Sequence, residues 1–488
     1  MARAKKRIAK RSKGETASNK VSAWQDDPMS KLPTLSRPVP KLSRPPLKYS
    51  FKGPSVAPAV YPVGTVQFRY WTAAEALRRG GDFWASLGVK AWQLGATLPV
   101  SLDKGVDLNA YYDRSELAFF HDSVSGKVVY SGESPDVVCH EMGHACLDAH
   151  RPELWDAPFV EVGAFHESWG DMSAILSALQ LPTVRNAALA GLKQYQSSPL
   201  SRCAEQLGWA IRQSSPSSVD SDSLRDAYNS FSYVDPNTLP DDASAKKLSA
   251  EVHSFSRVFT GAFYEILCKM LKIRSGNPSD ADVSGAALDL AQLLLDATTG
   301  APVQPDYYAQ VASHMIDADT ARFAGKYRSA LTSVFVARRI VPRSAVAPIL
   351  AAGRTPIAVG ARRAAAPFAR PPAPTIHKVA LRAEEFGLPA QKLIVPTPIE
   401  QRPFLSVAAS IARRHIGPSA AESAAHRFVK MLFAHERVDV SSGKHRMLAT
   451  KRTPRADLRK THSLVKTAEG LKLRRRLFHC GCGRLRAL

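Results

Sequence analysis

Residues 140–144 read His-Glu-Met-Gly-His. Two imidazoles four positions apart lie on one face of a helix and can reach a single ion. Zinc suits imidazole and carboxylate ligands. A catalytic zinc takes three protein ligands and keeps one position for water. Glu141, next to His140, can then take a proton from that water. His140 and His144 need a third ligand, and two residues compete for the place. His150 follows six positions after His144, and Glu167 lies in a separate run, GAFHESWGD.

One class of zinc peptidase spaces a third histidine as His150 is spaced, with an intervening glycine that lets the chain turn. That position here is Leu147, and leucine resists left-handed backbone. If the helix continues, six residues carry His150 about 240° around the axis, away from the ligand face. Glu167 would come from a second helix, so that two helices bracket the metal. Asp171, four residues on and on the same face, could accept the free ring N–H of a ligand histidine and fix its tautomer. Phe165, Trp169 and Met172 make that helix apolar, and unpaired acids in such surroundings are costly.

DVVCHEMGHACLD (136–148) followed by GAFHESWGDM (163–172) resembles the pattern of the thermolysin-type gluzincins, zinc metallopeptidases in which a DVVxHExxH helix precedes GxxxExxxD. NAYYDRSELAFFHD (109–122) is similar to the family's edge strand. SLRDAY (223–228) is similar to the segment with its substrate-binding arginine, and VHSFSRVFTGAFY (252–264) to the helix that opens with its transition-state histidine. The four segments occur in the family's order and cover about residues 65–320. The resemblance implies an α+β zincin fold, with a short N-terminal β-rich lobe, a helical lobe after it and the zinc site between them. It implies that His140, His144 and Glu167 bind Zn2+, that Glu141 is the general base, and that His253 donates to the developing oxyanion. Arg225 would bind a substrate carbonyl, and Asn109 with the Ala110 backbone would hold the substrate as an added strand. Val137 and Leu224 would line an apolar pocket, which implies a hydrophobic residue after the cut.

Departures from the family pattern sharpen the reading. The family's second oxyanion donor, a tyrosine, has no tyrosine counterpart; Trp155 and His150 are the candidates for its place. Leu248 stands where an aspartate orients the transition-state histidine, so Glu251 takes that role in this reading. His166 replaces the asparagine before the third ligand. Asp136 survives from the family's calcium cluster, but Ala178 stands where an acidic ligand belongs, so no double calcium site is expected.

The elements around these residues divide the chain into five parts. Residues 1–64, basic and then proline-studded, read as a disordered arm. Residues 65–133 read as the β-rich part of the catalytic domain, with strands expected at 65–71, in 106–122 and at 127–132. Residues 134–340 read as its helical part, with helices expected at 135–150, 160–180, 183–213, 250–273 and 281–298. Residues 341–376, rich in Ala, Pro and Arg, read as a linker. Residues 377–488 read as a basic, partly helical region with amphipathic helices at 404–417 and 419–438.

Charge follows the same division. The net charge of +23 arises from basic flanks around an acidic middle: residues 65–320 carry 19 Lys and Arg against 32 Asp and Glu, whereas 321–488 carry 33 against 8. Such flanks could bind nucleic acid or an anionic surface. A second reading of the chain is therefore a catalytically inactive gluzincin scaffold that works through its flanks, against a first reading as a zinc peptidase acting on a peptide or protein substrate. Six cysteines in 488 residues suggest no disulfide framework. Cys139 and Cys146 read as packing residues. His479, Cys480 and Cys482 could bind a metal, but three residues so close rarely complete a site, and a disordered tail is the plainer reading. No run reaches the roughly 18–20 apolar residues of a membrane span. No apolar stretch follows the basic N-terminus, which favours the cytoplasm over export.

Overall fold

The computed structural model describes residues 19–345, 375–399, 418–440 and 459–480. It is a mixed α+β structure with several small sheets. The chain begins with β1 (Lys20–Ala23), β2 (Leu35–Pro38) and β3 (Lys48–Phe51), then a long helix α1 (Val66–Leu87). Five short strands follow: β4 (Thr97–Ser101), β5 (Ala110–Tyr112), β6 (Leu117–Phe119), β7 (His121–Val124) and β8 (Lys127–Tyr130). The helical part contains α2 (Pro135–His150), α3 (Val160–Ala178), α4 (Pro182–Gln194), β9 (Arg202–Cys203), α5 (Glu205–Arg212), β10 (Arg225–Asp226), α6 (Val252–Arg274), α7 (Asp280–Gly300), α8 (Tyr307–Phe323) and α9 (Arg328–Ala337). The C-terminal region supplies β11 (Thr375–Arg382), β12 (Lys392–Ile399), α10 (Pro418–Ala434), β13 (Val438–Asp439), β14 (His462–Thr467), β15 (Gly470–Arg475) and β16 (Phe478–His479).

Two expectations fail at the N-terminus. Residues 65–71 are helical, not a strand. Thr65 caps α1 by accepting from the Phe68 backbone N–H, and Gly88 ends the helix at φ 116°, a left-handed value that glycine adopts without strain. The apparent alternation of VQFRYW is the start of a helix buried on nearly all sides from Phe68 to Trp84. Residues 19–64, within the expected disordered arm, are built into the structure; residues 1–18 lie outside the described residues. The arm need not fold alone, because α1 offers it an apolar surface. Val21 packs with Trp71 and Ala74, and β1 pairs with β2 in an antiparallel hairpin.

That arm braces the start of α2. Asp27 accepts from the Ser134 hydroxyl at 2.7 Å and from the Gln206 backbone N–H at 2.9 Å. Asp136, in the first turn of α2, accepts from the Ala204 N–H at 3.1 Å.

The principal sheet runs β16-β5-β6-β4-β3. The expected strand in 106–122 is broken into β5, β6 and β7, because the chain reverses between β5 and β6 through Arg114 at φ 64°. The remaining helices fall close to their expected spans, although 183–213 divides into α4 and α5 around β9.

The C-terminal region holds a helix where 419–438 was expected to form one, α10, and adds strands that were not expected. It forms a second five-stranded sheet, β11-β12-β15-β14-β13, with α10 beside it. The expected helix at 404–417 lies outside the described residues, as does most of the linker, residues 346–374. The region docks onto the first part of the chain: Arg427 donates to the Pro236 and Leu239 carbonyls, and Arg475 donates to the Trp155 carbonyl at 2.7 Å. One apolar core runs through both parts. The expected disordered tail is also wrong at its start, because β16 adds to β5 as a paired edge strand.

The acids near the start of α2 carry a measurable consequence. Burial raises Asp26 from 3.8 to about 7 and Glu205 from 4.5 to about 8. Both lie above their unfolded values, so these two groups bind more protons in the folded chain than in the unfolded one in this range. The stability these two groups contribute therefore falls as pH rises from about 4 to about 8. Asp26→Asn is expected to raise stability at pH 8 by about 1–3 kcal/mol and leave it nearly unchanged at pH 4. Urea unfolding at the two pH values measures this, and an equal change at both would contradict it.

Candidate metal centre

Helices α2 and α3 build the centre by packing unusually close. A Cβ on Gly143 would sit 2.8 Å from Ser173 Cβ, and one on Gly170 would sit 2.6 Å from the His140 ring. Neither distance is sterically allowed, so glycine at both positions sets the helix separation. Pro135 at the first turn of α2 gives up no helical hydrogen bond. His140 and His144 follow one turn apart, and Glu167 faces them from α3.

The candidate ligand atoms of His140, His144 and Glu167 all lie within 4.8 Å of one another. Glu167 Oε2 is 3.4 Å from His140 Nε2 and 3.7 Å from His144 Nε2. None of these three residues exceeds 1% exposure. Nε2 of both histidines and Glu167 Oε2 have no hydrogen-bond partner among the described residues. Buried polar atoms are almost always paired, and leaving one unpaired costs about 1–3 kcal/mol. Three such atoms aimed at one point fit a cation, and a His-His-Glu donor set fits zinc-like ions.

The surrounding groups orient the ligands. His140 Nδ1 donates to Asp171 Oδ1 at 2.9 Å, which leaves the Nε2 lone pair for the centre. Arg225, on β10, grips the same Asp171 with Nε at 3.1 Å and Nη2 at 2.8 Å. Burial would raise Asp171, but the Arg225 charge and the His140 contact hold it below the usual carboxylate range. Burial opposes charge on His140, yet the Asp171 carboxylate that accepts from its Nδ1 and the nearby Glu167 carboxylate outweigh it and push the ring up to about 10. A metal ion at the same point takes that proton's place. His144 goes the other way: burial, with His140 next, pushes it well down. Its Nδ1 lies 3.1 Å from Nδ1 of His166.

His166 is the site residue whose part the sequence did not disclose. It stands where the resembled family has an asparagine, which marked the position but not its contact with His144. Glu141 is fully buried, and both carboxylate oxygens lack a hydrogen-bond partner among the described residues. Burial raises it well above the usual carboxylate value.

His253 begins α6, where Glu251 caps the helix by accepting from the His253 and Ser254 N–H groups. Glu251 Oε1 also accepts from His253 Nδ1 at 2.6 Å. This turns His253 Nε2 toward the centre, 3.3 Å from Glu167 Oε2. Burial opposes a charge on His253, but Glu167 and Glu251 raise it overall. Asn109, 1% exposed, and Ala110 lie at the start of β5, where Asn109 Oδ1 accepts from Ala110 N–H at 3.0 Å.

Of the two candidates for the missing tyrosine, His150 points elsewhere. Its Nε2 lies 2.8 Å from the Thr299 hydroxyl and 3.2 Å from the Leu295 carbonyl, on α7. Trp155 is on the site's side. Its ring packs edge-on against Phe478, which stacks on His144 at 5.0 Å. No protein-family model matches the chain, and no curated protein sequence matches it.

Asp171→Asn keeps the side-chain volume but removes the charge that His140 and Arg225 share. Metal affinity, measured against a chromophoric chelator, is expected to fall about 10–100-fold. An unchanged affinity would contradict this role for Asp171.

Proposed function

We propose that the chain is a zinc-dependent peptidase of the thermolysin-like gluzincin type, with a HExxH…E ligand set. The observation that supports it best is the convergence of three buried ligand atoms from His140, His144 and Glu167, none with a hydrogen-bond partner among the described residues, with the Glu141 carboxylate, also without one, on the helix of the two histidines. Zinc bound there would polarise the peptide carbonyl and lower the pKa of its water towards about 7.

The chain's own residues do the rest. Glu141 takes the proton of the attacking water and passes it to the leaving amine. Burial raises its proton affinity, which favours the uptake step. His253, held by Glu251, presents Nε2–H to the carbonyl oxygen as that oxygen becomes negative. Asp171 keeps His140 in the tautomer that can bind metal. Arg225 uses Nε and Nη2 on Asp171 and directs Nη1 at a peptide carbonyl, here that of Cys480 at 3.2 Å, the contact it would make with a substrate. The edge of β5 at Ala110 takes an extended peptide as an added strand, with main-chain hydrogen bonds supplying affinity.

Glu141→Gln tests the assignment. The variant is expected to keep its zinc, because Glu141 is not a ligand, and to lose casein hydrolysis by about 1000-fold or more. Casein hydrolysis at the wild-type rate in this variant would contradict it.

A further inference from the structure

The edge of β5 is already taken by the chain's own C-terminal segment. Phe478 pairs with Tyr112 and His479 with Tyr111, antiparallel. The pairing continues one residue on, where the Cys480 N–H donates to the Ala110 carbonyl at 3.1 Å. Two further contacts fix the register. His253 Nε2–H donates to the His479 carbonyl at 2.8 Å, and Arg225 Nη1 donates to the Cys480 carbonyl at 3.2 Å. The His479–Cys480 peptide is thus held at its carbonyl oxygen, at its N–H and at the carbonyl that follows.

Side chains seat the segment as firmly as the backbone. The Phe478 ring stacks on His166 at 3.9 Å, with planes 18° apart. His479 stacks on His253 at 5.2 Å and its Nε2 accepts from Arg437 Nη1 at 2.8 Å. Phe478, His479 and Cys480 are each 2% exposed. The nitrogen that contacts the His479 carbonyl lies 3.3 Å from Glu167 Oε2, so that carbonyl borders the candidate metal centre.

We infer that the His479–Cys480 bond is the chain's own substrate, cut in cis, and that the cut frees the groove. This rests on the peptidase reading above. The water oxygen bonds to the His479 carbonyl carbon and the C–N bond breaks. Glu141 carries one water proton to the departing Cys480 amine. The products are a chain ending in the His479 carboxylate and a peptide running from Cys480 to Leu488. No oxidant or second reactant is required. A substrate that is part of the same chain sits at high effective concentration, so the cut precedes capture of an external peptide.

Two measurements on the full-length chain test this. The first is intact mass after zinc is added to metal-free protein. Wild type is expected to lose Cys480–Leu488 with first-order kinetics that do not change on ten-fold dilution, while Glu141→Gln stays whole. The second needs no metal and no turnover: iodoacetamide labelling of Cys480 in Glu141→Gln, mapped by peptide mass. Labelling is expected to be slow and to rise about ten-fold or more when Phe478→Ala is added, because burial is what protects the thiol. A cut at another bond, or a rate that scales with concentration, overturns the inference. So does an intact wild-type chain that hydrolyses casein, which leaves the peptidase reading standing. An intact wild-type chain, with casein left uncut both by wild type and by Phe478→Ala, which opens the groove, overturns both.

Discussion

The site depends first on how closely α2 and α3 approach. Gly143 and Gly170 let the two backbones meet where any side chain would collide with Ser173 or with the His140 ring. That approach brings Glu167 into reach of both histidines and buries the group completely. It also strips water from three polar atoms and gives them no hydrogen-bond partner among the described residues. The apolar packing around them, including Phe165 and Trp169 at 0% exposure, holds an arrangement that is unfavourable until a cation fills it.

Charge is organised around the same contact. Asp171 joins His140 to Arg225, so the acid that orients a candidate ligand also anchors the arginine that meets a peptide carbonyl. Glu251 does comparable work for His253, as helix cap and as ring acceptor together. The N-terminal arm reaches the other end of α2, where Asp27 holds Ser134 at the helix start. The ligand helix is therefore fixed at its first turn by a segment more than 100 residues upstream in sequence, as well as along its length by α3.

What could be read in the sequence was local. His140, His144 and Glu141 follow from helical spacing and zinc chemistry, and Glu167 with Asp171 from a second helix of the same kind. Leu147 was enough to turn attention from His150, whose ring is in fact directed to α7. What could not be read was pairing between distant segments. The proline-rich arm has too little apolar surface to fold alone, and only α1 supplies the face that orders it. The stretch at 65–71 shows strand-like alternation for a few residues, and its helical period emerges only over the following turns. The tail is the extreme case. Nothing in HCGCG announces that Phe478 pairs with Tyr112, because an antiparallel ladder is made of backbone groups every residue possesses.

The occupied groove changes the picture of the basic C-terminal region. Its described part is a folded sheet with one helix, docked so that its last strand completes the principal sheet. The proposed function turns on whether His140, His144 and Glu167 hold a metal ion. The most direct measurement is the zinc content of the purified chain after dialysis against buffered free zinc. Wild type and His150→Ala are expected to retain one zinc ion per chain and Glu167→Ala none. Zinc lost from His150→Ala but kept by Glu167→Ala would contradict the account.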